Sequence, residues 1–173
     1  DKVLNHRVPE RYFVCNAGEH EPGTFKDRHL LKTLPHQLIE GCLIASHTVN
    51  AKASFIYINH EYLEEQQNLK RAIAQARERG FIGKNVLGSG IDIELEIFDG
   101  HGSYVAGEET AMLESMQGRP AMPRQKPPFY PTDFGLYGKP TLVNNVETLC
   151  NIPRILHQGA SWFTQVGSEK CTG

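Results

Sequence analysis

Residues 107–113 (GEETAML) open a predicted helix directly after a strand-like run (IDIELEIF, residues 91–98) and a glycine turn (HGS, residues 101–103). The two adjacent carboxylates stabilise a helix start, because the first N–H groups of a helix carry partial positive charge. The glycine before them lets a ligand approach the backbone closely. By itself the stretch fits either a capped helix or a ligand site. Its order of strand, glycine turn and helix predicts a layered α/β fold.

The same alternation continues through the rest of the chain. Residues 11–15 (RYFVC) and 54–59 (SFIYIN) are short apolar runs, as is typical of buried strands. Predicted helices cover residues 26–34, 35–49, 61–79, 107–118 and 144–150, with a further helix beginning or bending at Pro153. Strands that alternate with helices predict a Rossmann-like α/β fold with a mainly parallel sheet. A length of 173 residues suits one domain over residues 1–173.

Composition argues against several classes of partner. The formal net charge of -2 gives no basic excess for nucleic acid or for an anionic membrane surface. No apolar run approaches the ~20 residues of a membrane-spanning helix, so direct membrane insertion is not expected. The N-terminus lacks a secretory pattern. Cys15 and Cys42 lie in apolar runs and are interpreted as buried thiols, which suits a reducing, cytoplasmic compartment.

No metal site is predicted. The four cysteines form no C-x-x-C pair, which argues against a zinc ribbon or an iron–sulfur cluster bound by this segment. The eight histidines show no H-x-x-x-H or H-E-x-x-H spacing. Asp92, Glu94 and Glu96 resemble a row of metal-binding carboxylates, but the period of two in a strand places them together on a solvent face.

Polar residues follow the first predicted strand, in the stretch NAGEHEPGT (residues 16–24). In an open parallel sheet, ligands bind outside the carboxyl ends of the strands. An asparagine amide and two glutamate carboxylates suit a ring with donors and acceptors, or a ribose, whereas a phosphate would need basic groups. An ordinary polar turn is the alternative interpretation of this stretch.

Residues 119–141 carry six prolines and little periodicity, which indicates either a functional loop or a linker. Within it, Lys126 and Phe129 flank two prolines and could place a cation and a stacking ring on a rigid segment; a loop that only covers the surface is the alternative. Asn144 and Asn145 at a helix start fit N-caps as well as ligand contacts. No P-loop or G-x-G-x-x-G fingerprint is present, which disfavours an ordinary NAD-dependent dehydrogenase.

Five ordered motifs carry a family resemblance. They are C-N-A-x-E-x-E-P-G-T-F-K-D-R (residues 15–28), L-P-H-x-L-I-E-G (34–41), Y-x-x-G-E-E-T-A (104–111), P-R-x-K-P-P-F (123–129) and N-N-V-E-T-L (144–149). From about residue 11 to residue 162, their order and spacing resemble the flavin- and NADH-binding subunit of respiratory complex I. The diaphorase subunits of NAD-linked hydrogenases and formate dehydrogenases belong to the same family, and the motifs do not distinguish these parents.

The resemblance implies a domain that binds FMN at the carboxyl ends of its strands. NADH would stack on the flavin and deliver a hydride to it, and electrons would leave singly through iron–sulfur clusters held elsewhere in the parent protein. The flavin does the redox chemistry, so no protein nucleophile or strong general base is expected. The implied partners are NADH and other subunits of a multi-subunit redox complex, with a cytoplasmic location and contact with the inner membrane only through partner subunits.

The resemblance also implies the site residues, motif by motif. Those expected to contact FMN are Asn16, Glu19, Gly107, Glu108, Asn144 and Asn145. Those expected on the NADH side are Glu21, Glu109, Lys126 and Phe129. No residue is expected to be catalytic in its own right, because the chemistry belongs to the flavin.

Several positions depart from the family pattern. The family usually has Asp at the position of Gly18 and often Cys at that of Ala106, and one extra residue separates Phe129 from Gly138. A glycine-rich loop that holds the FMN phosphate is expected before residue 1, and ubiquitin-like and cluster-binding domains after residue 173, so the fold is expected to be incomplete at both ends. The alternative is a degenerate or truncated relative that mediates subunit contacts and binds no flavin.

Overall fold

The computed structural model describes residues 2–6 and 8–173, and within them a parallel sheet of four strands forms the centre. The strands are β1 (Tyr12–Ala17), β2 (Ala53–Asn59), β3 (Leu95–Gly100) and β4 (Thr141–Asn145). They lie in the order β3-β2-β1-β4, and every neighbouring pair is parallel. The predicted α/β fold with a mainly parallel sheet is therefore confirmed.

Helices cover both faces of the sheet. They are α1 (Lys2–Asn5), α2 (Lys26–Thr33), α3 (Pro35–Thr48), α4 (Leu63–Glu78), α5 (Glu109–Met116), α6 (Pro131–Phe134), α7 (Val146–Gln158) and α8 (Ala160–Phe163). On one face, α2, α3, α4 and α7 share one apolar core with Phe13 and Cys15 of β1. On the other face, α5 packs against Val14. Because β1 is buried on both faces, it is a continuous apolar run rather than an alternating one.

The register brings the carboxyl ends of the strands together. Asn16 of β1 lies opposite Tyr57 of β2 and opposite Asn145 of β4. In turn, Asn59 at the end of β2 lies opposite Gly100 at the end of β3. The loop after β1, the connection from β3 to α5 and the junction of β4 with α7 therefore meet at one edge of the sheet.

The strand β4 was not predicted from the sequence. The sequence places residue 141 at the end of the proline-rich loop and residues 144–145 in a helix, with no element predicted between them, whereas residues 141–145 form a strand that pairs with β1. The stretch is too short and too polar to stand out alone, and its hydrogen bonds to β1 decide its conformation. The predicted helix is also corrected, because α7 begins at Val146 and continues through Pro153 to Gln158.

The acidic stretch after residue 90 differs from its prediction as well. The strand begins at Leu95, so Asp92 and Glu94 precede it. Asp92 accepts hydrogen bonds from Lys84 Nζ at 2.7 Å and from the backbone N–H of Asn85 at 2.9 Å. Glu94 pairs with Arg77 at 2.8 Å, and Glu96 is exposed. The solvent-facing interpretation of these carboxylates is confirmed, although ion pairing rather than strand period places two of them.

In residues 2–6 and 8–173, no group of three or more His, Cys, Asp or Glu side chains is arranged to hold a metal ion. Over the same residues, none of the helices combines the length and the apolar character needed to cross a bilayer.

Candidate functional site

Asn16 connects two loops at the carboxyl edge of the sheet. Its Nδ2 donates to the carbonyl oxygen of Gly107 at 3.0 Å, and its Oδ1 accepts from the backbone N–H of Gly18 at 3.0 Å. A Cβ added at Gly107 would lie 3.0 Å from the carbonyl oxygen of Gly18. Close packing of the two loops is therefore a second reason for glycine at position 107, since a side chain there would require the Gly18 backbone to shift.

Glu19 anchors the start of α2. Its carboxylate accepts from the backbone N–H groups of Asp27 at 3.1 Å and Arg28 at 3.3 Å, where a helix has unpaired donors. The hydroxyl of Tyr62 donates to the Glu19 carbonyl oxygen at 2.5 Å. Glu19 therefore lies beside the candidate site with its carboxylate already engaged, and its contact with FMN stays a prediction.

Asn145 joins the starts of α2 and α7. Its Oδ1 accepts from the backbone N–H of Glu147 at 3.0 Å, which confirms the N-cap interpretation for this residue. Its Nδ2 donates to Asp27 at 2.8 Å, and Lys26 Nζ donates to Asn145 Oδ1 at 2.8 Å. Asn144 instead lies within β4, half-buried, one residue before the cap.

Lys26 and Asp27 were not predicted as site residues, although both lie in the first motif. Asp27 is buried, and Lys26 Nζ donates to its Oδ1 at 2.6 Å. Burial alone would lower the pKa of Lys26, but Asp27 and Glu147 raise that pKa above its ordinary value. The charged ammonium group of Lys26 therefore lies next to Asn145. The spacing of the motifs alone did not predict this contact.

Glu108, Glu109 and Lys126 form a second cluster at the start of α5. Glu108 Oε2 accepts from the backbone N–H groups of Thr110 and Ala111, both at 2.8 Å, as the N-cap of α5. Lys126 Nζ donates to Glu108 Oε1 and to Glu109 Oε1, both at 2.9 Å. The proline-rich loop therefore contacts the start of α5 through Lys126, whereas a simple linker would make no such contact.

The charges in this cluster are fixed by their partners. Burial alone would raise the pKa of Glu108, but hydrogen bonds from Thr110, Lys126 and the Ala111 amide lower it below its usual value. The hydrogen bonds to Glu109 and Glu108 raise the pKa of Lys126. Glu108 and Lys126 are therefore both held in their charged forms, which suits binding rather than proton transfer.

Glu21 and Tyr104 are joined by a hydrogen bond between two loops of the candidate site. The hydroxyl of Tyr104 donates to Glu21 Oε2, which links the loop after β1 with the turn before α5. That carboxylate raises the pKa of the Tyr104 hydroxyl. Tyr104 is 64% exposed, so a ring and a carboxylate stand accessible at the loops. Tyr104 was not predicted as a site residue, although it is the first residue of its motif.

Phe129 presents an exposed ring from the proline-rich loop. It packs edge-to-face on Phe134, with ring centroids 6.0 Å apart, and stays 46% exposed. Arg124 holds this loop, because its Nε donates to Glu114 at 2.5 Å and its Nη1 donates to the Phe134 carbonyl oxygen at 2.5 Å. The ring therefore stands on a segment tied to α5, three residues from Lys126.

The two departures at Gly18 and Ala106 have different consequences. Ala106 is fully buried against Met112 and Leu113 and does not reach the candidate site. A Cβ at Gly18 would lie 3.1 Å from His20 Nε2, so the imidazole of His20 occupies the space beside that glycine. His20 Nε2 is buried and has no hydrogen-bond partner within the described ranges.

The donors and acceptors at this edge fit a flavin nucleotide. Amide and carboxylate oxygens accept from ring N–H and hydroxyl groups, and Lys26 and Lys126 supply cations. The unpartnered Nε2 of His20 is a polar atom that a bound ring or its ribityl chain could satisfy. Of the predicted residues, the structure joins Asn16 with Gly107 and Asn145, and Glu108 with Glu109 and Lys126.

Comparisons with known proteins agree with the fold and with an FMN-binding family. The family model described as the Nuo51 FMN-binding domain matches residues 2–154. The F subunit of NADH-quinone oxidoreductase from Escherichia coli (strain K12) is 52% identical over 163 residues, covering 94% of this chain and 36% of the relative. Its counterpart in Rickettsia typhi (strain ATCC VR-144 / Wilmington) is 52% identical over 162 residues, covering 94% of this chain and 38% of the relative.

A solved structure gives the same result for the fold. The crystal structure of NAD+-reducing [NiFe]-hydrogenase in the H2-reduced state matches with a TM-score of 0.89 and 38% identity, covering 99% of this chain and 29% of that one. The chain spans little more than a third of the length of the curated relatives it matches. The matched motifs, the parallel sheet and the family model agree: the chain belongs to the family of the Nuo51 FMN-binding domain.

Proposed function

We propose that this chain binds FMN and NADH and forms the hydride-transfer part of an NADH-oxidising subunit of the NADH-quinone oxidoreductase type. The observation that carries the proposal is the convergence of Asn16, Gly107 and the Glu108–Glu109–Lys126 cluster at the carboxyl edge of the sheet. When bound, FMN supplies the redox chemistry by accepting a hydride from NADH and releasing electrons singly. The protein's part is to bind, orient and exclude water.

The FMN side of the site is built on fixed polar groups. The residues proposed to hold FMN are Asn16, Glu19, Gly107, Glu108, Asn144 and Asn145. The amides of Asn16 and Asn145 are held by main-chain and side-chain partners, so their remaining donor and acceptor positions have set directions. Preorganised donors and acceptors bind a ring without the entropy cost of ordering side chains first.

The NADH side is built on groups that are more exposed. The residues proposed there are Glu21, Glu109, Lys126 and Phe129. Carboxylates accept from ribose hydroxyls and from a carboxamide, and the exposed ring of Phe129 offers a stacking surface for a base. Lys126 pairs with Glu109 at 2.9 Å, so this acceptor is held in place on the helix start. Hydride transfer requires no protein acid or base, and the cluster supplies none.

The electron acceptors, the complex and the location proposed for the intact protein are inferred from its relatives. We propose that the intact protein passes electrons to iron–sulfur clusters that this segment does not bind, within a multi-subunit redox complex. The proposed location is the cytoplasm, with contact to the inner membrane only through partner subunits. Gly18, where the family usually has an acidic side chain, motivates the second candidate: a relative that keeps the fold for subunit contacts and binds no flavin.

An FMN titration tests the proposal directly. Flavin fluorescence is followed during titration of the 173-residue chain and, in parallel, of the longest polypeptide that its gene encodes. Saturable quenching by the encoded polypeptide is expected. If neither form quenches flavin fluorescence, the proposal is wrong and the subunit-contact role is the better account.

Two variants then separate the NADH side from the FMN side. Glu109→Gln removes a carboxylate charge that pairs with Lys126, and we expect a NADH Kd about tenfold higher with an FMN Kd within twofold of wild type. The matched control is Glu94→Gln, whose carboxylate is similarly exposed and pairs with Arg77 away from the site. Equal NADH affinity in the two variants would contradict the assignment of Glu109.

A further inference from the structure

His20 lies in the loop after β1 with one ring nitrogen satisfied by β2. The backbone N–H of Glu61 donates to Asn59 Oδ1 at 3.1 Å, which fixes the orientation of that amide. Asn59 Nδ2, a donor only, then lies 3.3 Å from His20 Nδ1. His20 Nδ1 must therefore act as the acceptor, and in the neutral ring the proton resides on Nε2.

The Nε2–H group has no acceptor in the part of the chain that the structure describes. The atom is buried, and burial also lowers the pKa of His20, with Glu61 opposing that effect and His60 adding to it. The ring is therefore neutral at physiological pH and carries one buried donor. Buried donors without partners are rare in folded proteins, and one beside the candidate site points to a partner that arrives with the ligand.

The ring stands between the two loops of the candidate site. His20 Nε2 would be 3.1 Å, and its Cδ2 3.4 Å, from a Cβ added at Gly18. Its Cδ2 would be 3.7 Å from a Cβ added at Gly107. Gly18 and Gly107 are also the residues whose main-chain atoms Asn16 joins. The imidazole thus occupies the space that a side chain at position 18 would need, next to Gly107, one of the residues proposed to hold FMN.

We propose that His20 is a further ligand-positioning residue, whose Nε2–H donates to an uncharged oxygen or nitrogen acceptor of the bound flavin. This inference rests on the proposed function. The carboxylate of Glu61 acts on the ring electrostatically and disfavours an anion there, so the acceptor is a carbonyl, hydroxyl or ring nitrogen rather than the phosphate. Because Nε2 is buried, this hydrogen bond requires residues 18–20 to shift when the ligand binds, and a glycine at position 18 favours such a movement.

Two substitutions at His20 distinguish the contributions of its two ring nitrogens. An Asn side chain places its polar end near the Nδ1 position, and a Gln side chain reaches the Nε2 position with an amide donor. His20→Asn therefore keeps the link to Asn59 and loses the proposed donor, whereas His20→Gln keeps the donor and loses the link. A purely structural His20 would tolerate Asn better than Gln; a ligand-positioning His20 tolerates Gln better than Asn.

The measurement is the FMN Kd of each variant, in whichever form of the protein binds FMN. One hydrogen bond of ordinary strength corresponds to about a fivefold to tenfold change in Kd, so that increase is expected for His20→Asn. For His20→Gln, a Kd within about threefold of wild type is expected. The control is His157→Asn, an exposed histidine on α7, which should leave the Kd unchanged.

An NMR measurement on the unmutated protein covers the case in which a variant fails to fold. With 15N-labelled histidine, the His20 Nε2–H resonance should shift and exchange more slowly with water when FMN is added. An unshifted resonance, or a His20→Asn Kd equal to wild type, would overturn the inference and leave FMN binding intact. Absence of FMN binding by the wild-type protein would instead overturn the proposed function and the inference together.

Discussion

Glu108 combines a structural and a proposed binding role in one carboxylate. It caps α5 through the backbone N–H groups of Thr110 and Ala111, and it accepts from Lys126. The pKa of Glu108 is below its unfolded value, because these hydrogen bonds outweigh the effect of burial. The unfolded chain therefore binds a proton more readily than the folded chain in the acid range. Its stabilising contribution is present above the unfolded pKa and is lost as pH falls through the folded pKa.

The resulting prediction concerns acid stability. Glu108→Gln should lower the free energy of unfolding at pH 7 by about 1 kcal/mol, the usual cost of weakening a cap. As pH falls below about 4.5, the difference between wild type and variant should shrink, because the wild-type carboxyl becomes protonated. Urea unfolding of both proteins between pH 3 and pH 7 checks this. A difference that stays constant over that range would show that the carboxylate charge is not involved.

The cysteines give a second prediction at the scale of residues. Cys15, Cys42 and Cys150 are buried, whereas Cys171 is exposed. Burial raises the pKa of Cys150 to about 12 and that of Cys15 well above its ordinary value, so neither forms the reactive thiolate at neutral pH.

When the native protein is treated with a thiol reagent at pH 7.5, one thiol per chain should therefore react rapidly. Cys171→Ser should abolish that fast phase. Four equivalents are expected after denaturation. More than one fast equivalent in the native protein would contradict the burial of Cys15, Cys42 and Cys150.

The contact between α3 and α7 depends on one glycine. A Cβ added at Gly41 would lie 2.1 Å from the carbonyl oxygen of Leu149, so α3 approaches the backbone of α7 more closely than any side chain allows. Pro153 lacks the N–H that would otherwise bond this carbonyl within α7. This carbonyl, which lacks that donor, therefore faces a glycine rather than a methyl group.

Gly41→Ala should destabilise the protein despite the higher helix propensity of alanine. Propensity favours alanine by about 1 kcal/mol, but the clash requires the helices to separate, and overpacking of this kind costs about 1–3 kcal/mol. Setting the propensity gain against the packing cost leaves a net loss of up to about 2 kcal/mol, which urea unfolding measures. Glu40→Ala, at the exposed neighbouring position, is the control and should change stability by less than about 0.5 kcal/mol. A stabilised Gly41→Ala variant would mean that the helices separate freely.

The elements differed in how well the sequence predicted them. The strands β1 and β2 and the helix α4 were placed to within two residues, because their apolar patterns are strong. The strand β4 was missed because its conformation depends on pairing with β1, which no local pattern records. The start of β3 was placed too early because ion pairs with Lys84 and Arg77, rather than a second strand face, account for the acidic alternation.

In the candidate site, too, local patterns predicted some residues, whereas contacts between distant elements determined others. The rule that ligands bind at the carboxyl ends of parallel strands, with the family motifs, selected residues that the structure brings together. Tyr104, Lys26 and Asp27 were missed although they lie in those motifs, because their roles depend on partners from distant elements. The unpartnered nitrogen of His20 could not be predicted at all, since it follows from the orientation of the Asn59 amide.

For the whole molecule, the candidate site lies where separate parts of the chain meet. Asn16 lies near the end of β1, Gly107 precedes α5 and Asn145 ends β4, and hydrogen bonds join the three. A ligand bound there contacts segments that are more than a hundred residues apart in sequence, so its binding free energy is coupled to folding of the sheet as a whole. Ligand binding to the folded state alone stabilises it by mass action.

The last prediction follows from that coupling. At an FMN concentration of one hundred times Kd, the free energy of unfolding should rise by about 2.7 kcal/mol, which corresponds to a Tm increase of about 5–10 °C for a chain of this size. Gly107→Ala should lose most of that increase, because its Cβ would lie 3.0 Å from the Gly18 carbonyl oxygen and separate the two loops.

Gly80→Ala is the matched control for that variant. Gly80 follows α4 with a φ of +75°, and nothing lies within 4 Å of an added Cβ. Alanine there lowers the Tm of the free protein through backbone strain but should leave the FMN-induced increase unchanged. An FMN-induced increase that survives in Gly107→Ala would mean that the ligand binds without the two loops in contact. In that case the convergence of β1, α5 and β4 would serve folding alone, and the flavin would have to be placed elsewhere on the sheet edge.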